Sequence, residues 1–425
     1  MTTFLIGLFL LLFALFGTSL FVIIAAIALI AFYFVDIDSS AVIIELYRLA
    51  SQPILLAIPL FTFAGYLLAE SKTPQRLVAL SRAFFGWLPG GLGIVTLVSC
   101  AIFTAFTGAS GVTIIALGGL LYPVLQNEKY PEKFNLGILT ASGNLGLLFP
   151  PSLPIILYGL VSETSIDKLF IAGIIPGLLM VILLSFYSVN RMKKVNPHVE
   201  PFSVQKAWES VKNAAWEIPL PFIILVGIYG GFFTVTEAAA VTAFYVLIVE
   251  VFIYKEVSFR KGLPKVMKDS MILVGGILVI LSAAMGLANY MIYEQIPMQI
   301  LGWMKTFITS KIAFLLVLNL FLLVVGALMD IFSAILVVVP LITPIAINFG
   351  VDPVHLGIIF LANLGIGYST PPIGMNLFIA SFRFEKPILK LYVATIPFLI
   401  ILLLTLMLIT YVPELSLWLV DLVSV

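Results

Sequence analysis

Apolar residues fall along this chain in long blocks separated by short polar breaks. The blocks cover about 3–35, 53–69, 91–107, 112–125, 135–161 and 169–190. After a polar stretch at 191–212 they resume at about 218–253, 271–291, 312–326, 331–347, 355–381 and 391–412. One helical crossing of a bilayer takes about 20 apolar residues, so the pattern predicts an all-α polytopic membrane protein with about twelve passes. The first block of each half exceeds 30 residues and has a break near its middle. Gly17-Thr18-Ser19 is the candidate turn in the first. In the second, Gly230-Gly231 precedes Thr234-Val235-Thr236-Glu237, a capping-box pattern that starts a new helix. Each of these blocks is counted as two passes. The stretches 72–86 and 292–311 are amphipathic and predict arms lying along opposite membrane surfaces.

The two halves repeat one another. Asn144-Leu145-Gly146 returns as Asn363-Leu364-Gly365, Pro150-Pro151 as Pro371-Pro372, and Tyr122-Pro123 as Thr343-Pro344. Leu136-Gly137-Ile138 matches Leu356-Gly357-Ile358, and Pro74 matches Pro297. Five landmarks in order at offsets of 219 to 223 predict a duplication, with repeats over 1–205 and 206–425.

Charge sets the orientation. With the basic segment 191–212 on the cytoplasmic side, counting passes places 70–86, 127–134, 255–268 and 383–390 there as well. These five segments hold 18 of the 22 Lys and Arg residues, as the positive-inside bias requires. Arg48, Lys168, Lys305 and Lys311 remain outside. Both chain ends are then periplasmic, and corresponding loops of the two halves fall on opposite faces, so the repeat is inverted. Composition agrees: 62% of residues are hydrophobic and 10% charged, where a soluble domain carries about 25% charged. A net charge of +1, with no basic patch interleaved with aromatics, argues against nucleic acid. The single cysteine, Cys100, excludes an intrachain disulfide. Met1 leads straight into apolar sequence, which predicts that 3–35 belongs to the mature protein rather than to a signal peptide.

Inverted repeats with interrupted helices point to a secondary transporter whose site lies at the interruptions. Each half has two. The first is a tight link between short apolar runs, Gly108-Ala109-Ser110-Gly111 in one half and Gly326 to Asp330 in the other. Pass parity does not separate a re-entrant hairpin from two full crossings. The uncharged small-residue link favours hairpins, at about 91–125 and 312–347. The second lies inside 135–161 and 355–381, where a double proline follows several glycines and should unwind the helix at mid-membrane. Backbone freed at that depth must line a cavity or bind something. Its carbonyls and neighbouring hydroxyls suit a hard cation such as sodium, and N–H groups at the next helix start suit an anion. A proline kink satisfied by neighbouring helices is the plainer reading of one such break, and their symmetry favours a site. Asp330, a carboxylate within an apolar stretch, is by default a functional residue and is also a candidate N-cap of the helix starting at Ile331. Helix capping suffices for Glu237, and a snorkelling anchor for Arg383. The chain has no Gly-x-x-x-x-Gly-Lys phosphate loop, nucleophile elbow or zinc-protease helix, and only two histidines, His198 and His355, so an enzyme is not expected.

At these breaks the chain resembles the large membrane subunit (DctM type) of tripartite ATP-independent periplasmic, or TRAP, transporters. The matching stretches are GNLGLLFPPSLPIILYG (143–159), LFIAGIIPGLL (169–179), FFTVTEAAAV (232–241), VDPVHLGIIFLANLGIGYSTPPIGMNLF (351–378) and Met329-Asp330. The resemblance implies a sodium-coupled elevator in the bacterial inner membrane, with hairpins and broken helices moving against a scaffold. It also implies a small four-helix membrane subunit and a periplasmic substrate-binding protein delivering an organic acid, such as a C4-dicarboxylate or acidic sugar. By the same resemblance, one of two sodium ions would use Gly108, Ser110 and carbonyls at Asn144 and Gly146. The other would use Gly326, Asp330, Gly367 and Thr370, with the substrate within reach of Ser110, Ser152 and Asp330. The first hairpin departs from the family, for GASGVT (108–113) stands where many members carry a run of serines. A stand-alone sodium–dicarboxylate symporter is the nearest alternative. A structural or redox subunit of a membrane complex is the third reading, with no cofactor ligands to support it.

Overall fold

The computed structural model describes residues 18–35, 51–192 and 201–423, with isolated positions between 13 and 47. The expected pass over 3–17 lies outside the described residues. Thr18 and Ser19 are non-helical and precede α1 (Leu20–Phe34). Every described element is helical.

The first half continues with α2 (Ala57–Glu70), the arm α3 (Thr73–Phe85), a helical hairpin α4 (Gly91–Thr107) and α5 (Ser110–Asn127), and a broken helix α6 (Glu132–Ser142) and α7 (Leu153–Ser162). Then come α8 (Ile166–Ala172) and α9 (Ile174–Met192), and a linker helix α10 (Val204–Asn213). The second half follows the linker helix. It holds α11 (Pro219–Tyr229), α12 (Val235–Leu247) running into a π-turn Ile248–Ile253, α13 (Gly262–Tyr293) and the arm α14 (Ile296–Lys305). The hairpin α15 (Lys311–Leu328) and α16 (Ile331–Asn348), the broken helix α17 (Pro353–Gly367) and α18 (Met375–Phe384), then α19 (Ile388–Tyr411) and α20 (Glu414–Val423) follow. The capping box forms as expected: Thr234 Oγ1 accepts from the Glu237 N–H, and Glu237 accepts from the Thr234 N–H.

Three details differ from expectation. Eight described helices are long and apolar enough to cross a membrane, nine if the bent pair counts as one, because four other apolar helices are only 10–17 residues long. Helix α13 runs for 32 residues, longer than its apolar block, because its first turns carry charges at the surface, among them Lys265, 2.8 Å from Glu70. The breaks are also unequal in register. The first follows Ser142, with a 3₁₀ turn over Leu145–Leu148, whereas α17 stays helical through Gly367. Asn144 therefore lies in a break while its repeat partner Asn363 lies inside a helix. Both diprolines are cis.

Each hairpin packs on both broken helices. Helix α4 lies along the first break and α5 on α18, while α15 lies on α17 and α16 on α7. Hydrogen bonds and ion pairs join the loops in two groups. In one, Arg82 lies 3.5 Å from Glu128, Lys386 lies 2.6 Å from Glu132, and Arg76 meets Glu217, Glu250 and Glu256. In the other, the Thr236 hydroxyl donates to the Pro53 carbonyl, the Tyr229 hydroxyl to the Asp167 carbonyl, and α8 packs on α20. These are the groupings that the charge count assigns to two opposite faces. All five tryptophans are 43–68% exposed, and four of them, Trp87, Trp208, Trp216 and Trp303, lie beyond helix ends or on an arm or linker helix, as interfacial anchors do.

Candidate functional site

The first hairpin turns at Gly108 and Ala109. Gly108 has φ +64°, where a Cβ is disfavoured, and an added Cβ would stand 2.7 Å from Cβ of Leu153. The tip is thus seated on the start of α7, beside Ser152. Thr104 and Thr113 hydroxyls meet at 2.6 Å across the two legs of the hairpin, and Thr104 Oγ1 also donates to the Gly143 carbonyl (3.1 Å). Gly146 packs so closely on α4 that an added Cβ would collide with the Ala101 carbonyl.

Ser110, the first residue of α5, opens a chain of buried hydrogen bonds. Its Oγ donates to Asn376 Oδ1 (2.8 Å), Asn376 Nδ2 donates to Asn144 Oδ1 (2.8 Å), and Asn144 Nδ2 donates to Ser369 Oγ (2.9 Å). The chain brings together two of the expected site residues, Ser110 and Asn144, and joins both halves of the protein. The backbone at the first break is not wholly unwound. The Asn144 carbonyl accepts from the Leu147 N–H and the Gly146 carbonyl from the Phe149 N–H, each at 3.1 Å. Each carbonyl keeps a second lone pair.

Ser152 caps α7 without a side-chain capping bond, is fully buried, and its hydroxyl has no partner among the described residues. A buried polar atom without a partner costs about 1–3 kcal/mol. It stands at the N-terminus of a ten-residue helix, where the dipole favours negative charge.

On the second side the tip is tighter than expected. Helix α15 runs through Gly326 to Leu328, and only Met329 and Asp330 form the turn. Gly326 instead allows close approach: an added Cβ there would lie 3.2 Å from the Gly367 Cα, and one on Gly367 2.7 Å from the Gly326 Cα. These two expected site residues are therefore in backbone contact. Half-buried Asp330 is the N-cap of α16, with Oδ1 accepting from the Phe332 and Ser333 N–H groups at 3.0 Å. The Tyr368 hydroxyl accepts from the Ile331 N–H. Thr370 donates its hydroxyl to the Ile366 carbonyl at 2.9 Å. Asp330 is not part of the Ser110–Ser369 chain. The second hairpin and break are joined through backbone, the Gly374 N–H donating to the Ala327 carbonyl at 3.0 Å.

Sequence reading missed Asn376 and Ser369. Asn376 has no polar counterpart in the first half, where the matching position is near Ile155, so the repeat does not flag it. A second amide inside the apolar block 355–381, just past the diproline, was the available signal. Asn363, by contrast, faces away from the site and donates to Asn319 Oδ1 of α15 at 2.7 Å. Neutral hydroxyl and amide oxygens of this kind suit a hard monovalent cation, and the free hydroxyl at a helix start suits an anion.

Comparison with known proteins bears on this arrangement. A family model described as "Tripartite ATP-independent periplasmic transporter, DctM component" matches residues 5–415. The C4-dicarboxylate TRAP transporter large permease protein DctM of Pseudomonas aeruginosa is 39% identical over 376 residues, covering 88% of each chain. The isethionate TRAP transporter permease protein DctMQ of Oleidesulfovibrio alaskensis is 37% identical over 370 residues, covering 86% of this chain and 58% of that one. The crystal structure of the Alcanivorax borkumensis YdaH transporter superposes with a TM-score of 0.62 at 16% identity, covering 88% of this chain and 87% of that one, a likeness of fold alone. With the family match spanning nearly its whole length, this chain belongs to the DctM family of TRAP-transporter large permease subunits, multi-pass proteins of the inner membrane that are not enzymes.

Proposed function

We propose that this subunit couples the entry of sodium to the import of an organic acid delivered by a periplasmic binding protein. The observation that carries the reading is the uncharged, buried set of hydroxyls and amides contributed by both halves beside the unpartnered Ser152 hydroxyl. One sodium ion would take Ser110, Gly108 and the second lone pairs of the Asn144 and Gly146 carbonyls. A second would take backbone at Gly326 and Gly367 with Thr370 and Asp330, and the close Gly326–Gly367 approach supports it. The carboxylate of the substrate would lie between Ser110, Ser152 and Asp330, with sodium offsetting the Asp330 charge.

The two halves, 1–205 and 206–425, act in this reading as inverted repeats with re-entrant hairpins. The hairpins, the broken helices and helices α8, α9, α19 and α20 form the moving body. Helices α1 to α3 and α11 to α14 form the scaffold. The interlock of each hairpin with both broken helices supports their movement as one unit. Relatives named for C4-dicarboxylates and for isethionate support a small organic anion as substrate. The joined name DctMQ, and the greater length of that protein, support a small four-helix membrane subunit as a partner.

Reconstitution into proteoliposomes tests the reading. Uptake driven by an inward sodium gradient should require this chain, the small subunit and the binding protein together. Uptake by this chain alone would point instead to a stand-alone symporter, and uptake indifferent to sodium would overturn the coupling.

A further inference from the structure

The chain of hydrogen bonds through the centre has a direction. Ser110 has one hydroxyl proton and directs it to Asn376 Oδ1, so what its oxygen can still present to a cation is lone-pair density. A cation held there would make the Ser110 hydroxyl a stronger donor. The polarised Asn376 amide would then donate more strongly to Asn144, and Asn144 to Ser369, because hydrogen bonds in series reinforce one another in a low-dielectric interior. The four side chains are between 0 and 8% exposed, so water does not screen the series.

Its far end is placed to transmit the change. Ser369 lies in the second break, and the Asn376 N–H donates to the Tyr368 carbonyl at 3.0 Å. From there the Gly374 N–H reaches the Ala327 carbonyl at the second hairpin. We propose that Asn376 and Ser369 are positioning residues that couple cation occupancy at the first hairpin tip to the shape of the second break. This deepens the sodium-coupled reading and rests on it. A purely structural network would only satisfy four buried polar groups, and cutting it at the far end would lower stability without changing the response to sodium.

The test is a double-mutant cycle between the two ends, Ser110 and Ser369, which share no hydrogen bond. The complete transporter is reconstituted, and the sodium concentration giving half-maximal uptake is measured for wild type, Ser110→Ala, Ser369→Ala and the double variant. Removing one hydrogen bond of ordinary strength shifts an affinity about fivefold. Ser369→Ala should raise the half-maximal sodium concentration about fivefold although it does not touch the first hairpin. The double variant should be no worse than Ser110→Ala, because either change already opens the series. A double variant shifted by the product of the two, about 25-fold, or a Ser369→Ala protein with the wild-type response, would overturn the coupling. Asn376→Leu, which interrupts the middle without removing a proposed sodium ligand, should behave as Ser369→Ala does if it folds, and Ser369→Ala decides the matter if it does not. A wild-type complex whose uptake ignores sodium would remove the proposed function and this inference together. A sodium-dependent wild type with independent variants would remove the inference alone.

Discussion

At the scale of single residues, the proposed site role of Asp330 rests on a carboxylate that also caps a helix. Its Oδ1 holds the first turn of α16, and Oδ2 takes no hydrogen bond from a described residue. An N-cap asparagine is about as good as aspartate. Asp330→Asn should therefore leave the thermal unfolding midpoint of the purified protein nearly unchanged, while sodium-driven uptake falls at least about tenfold, which is about 1.4 kcal/mol. A variant that transports normally would leave Asp330 as a cap alone. Ser152→Ala separates substrate from structure. Its hydroxyl has no partner to lose, so stability should hold or rise slightly. Half-saturation for the organic acid should rise several-fold while the sodium response stays put. Both residues were legible as polar groups at breaks in apolar sequence. That Ser152 goes unpaired, and that Asp330 caps with one oxygen only, depends on neighbours far along the chain.

At the scale of elements, Arg76 ties the arm α3 to acidic residues of the second half. Arg76 is 11% exposed and bonds Glu217, Glu250 and Glu256, while its guanidinium stacks 4.0 Å from the Tyr254 ring centroid. Removing it would leave nearly buried carboxylates without their partner, a loss of about 3–5 kcal/mol. Arg76→Ala should sharply lower the unfolding midpoint or the yield of folded protein, whereas Lys72→Ala should do neither, because Lys72 bonds Glu256 through its backbone N–H. The sequence marked Arg76 only as one more cytoplasmic base. The seat of the second hairpin gives a further test. Gly367→Ala places a methyl 2.7 Å from the Gly326 backbone, which cannot yield as a flexible side chain would. The hairpin must shift, at a cost of about 1–3 kcal/mol, and uptake should be lost before secondary structure is, as judged by circular dichroism.

At the scale of the whole molecule, the orientation can be read with cysteine labelling, since the single native thiol, Cys100, is buried. A cysteine replacing exposed Glu414 should react with an impermeant reagent in intact cells, and one replacing Lys265 should not. Labelling of Lys265→Cys from outside would reverse the assignment of faces. The same comparison tests the grouping of loops, because Lys265 lies against Glu70 in the set that carries most of the positive charge.

Features that depend on neighbours along the chain could be read from the residues alone. Runs of apolar residues, glycines before prolines, a capping box and the bias of Lys and Arg act within a few turns of helix or across one membrane thickness. They are enough for an all-helical membrane protein with helices interrupted near its glycines and diprolines. Which atoms meet at those interruptions is set by the packing of the helices around them. The repeat places Asn144 and Asn363 as equivalents, yet one enters the central hydrogen-bond chain and the other turns to Asn319, because their helices end at different points relative to the diprolines. The pairing of Ser110 with Asn376 spans 266 residues and both halves, and a register shift of one helical step would break it. A helix is specified by local periodicity, but a buried polar group finds its partner only when the helices around it have packed.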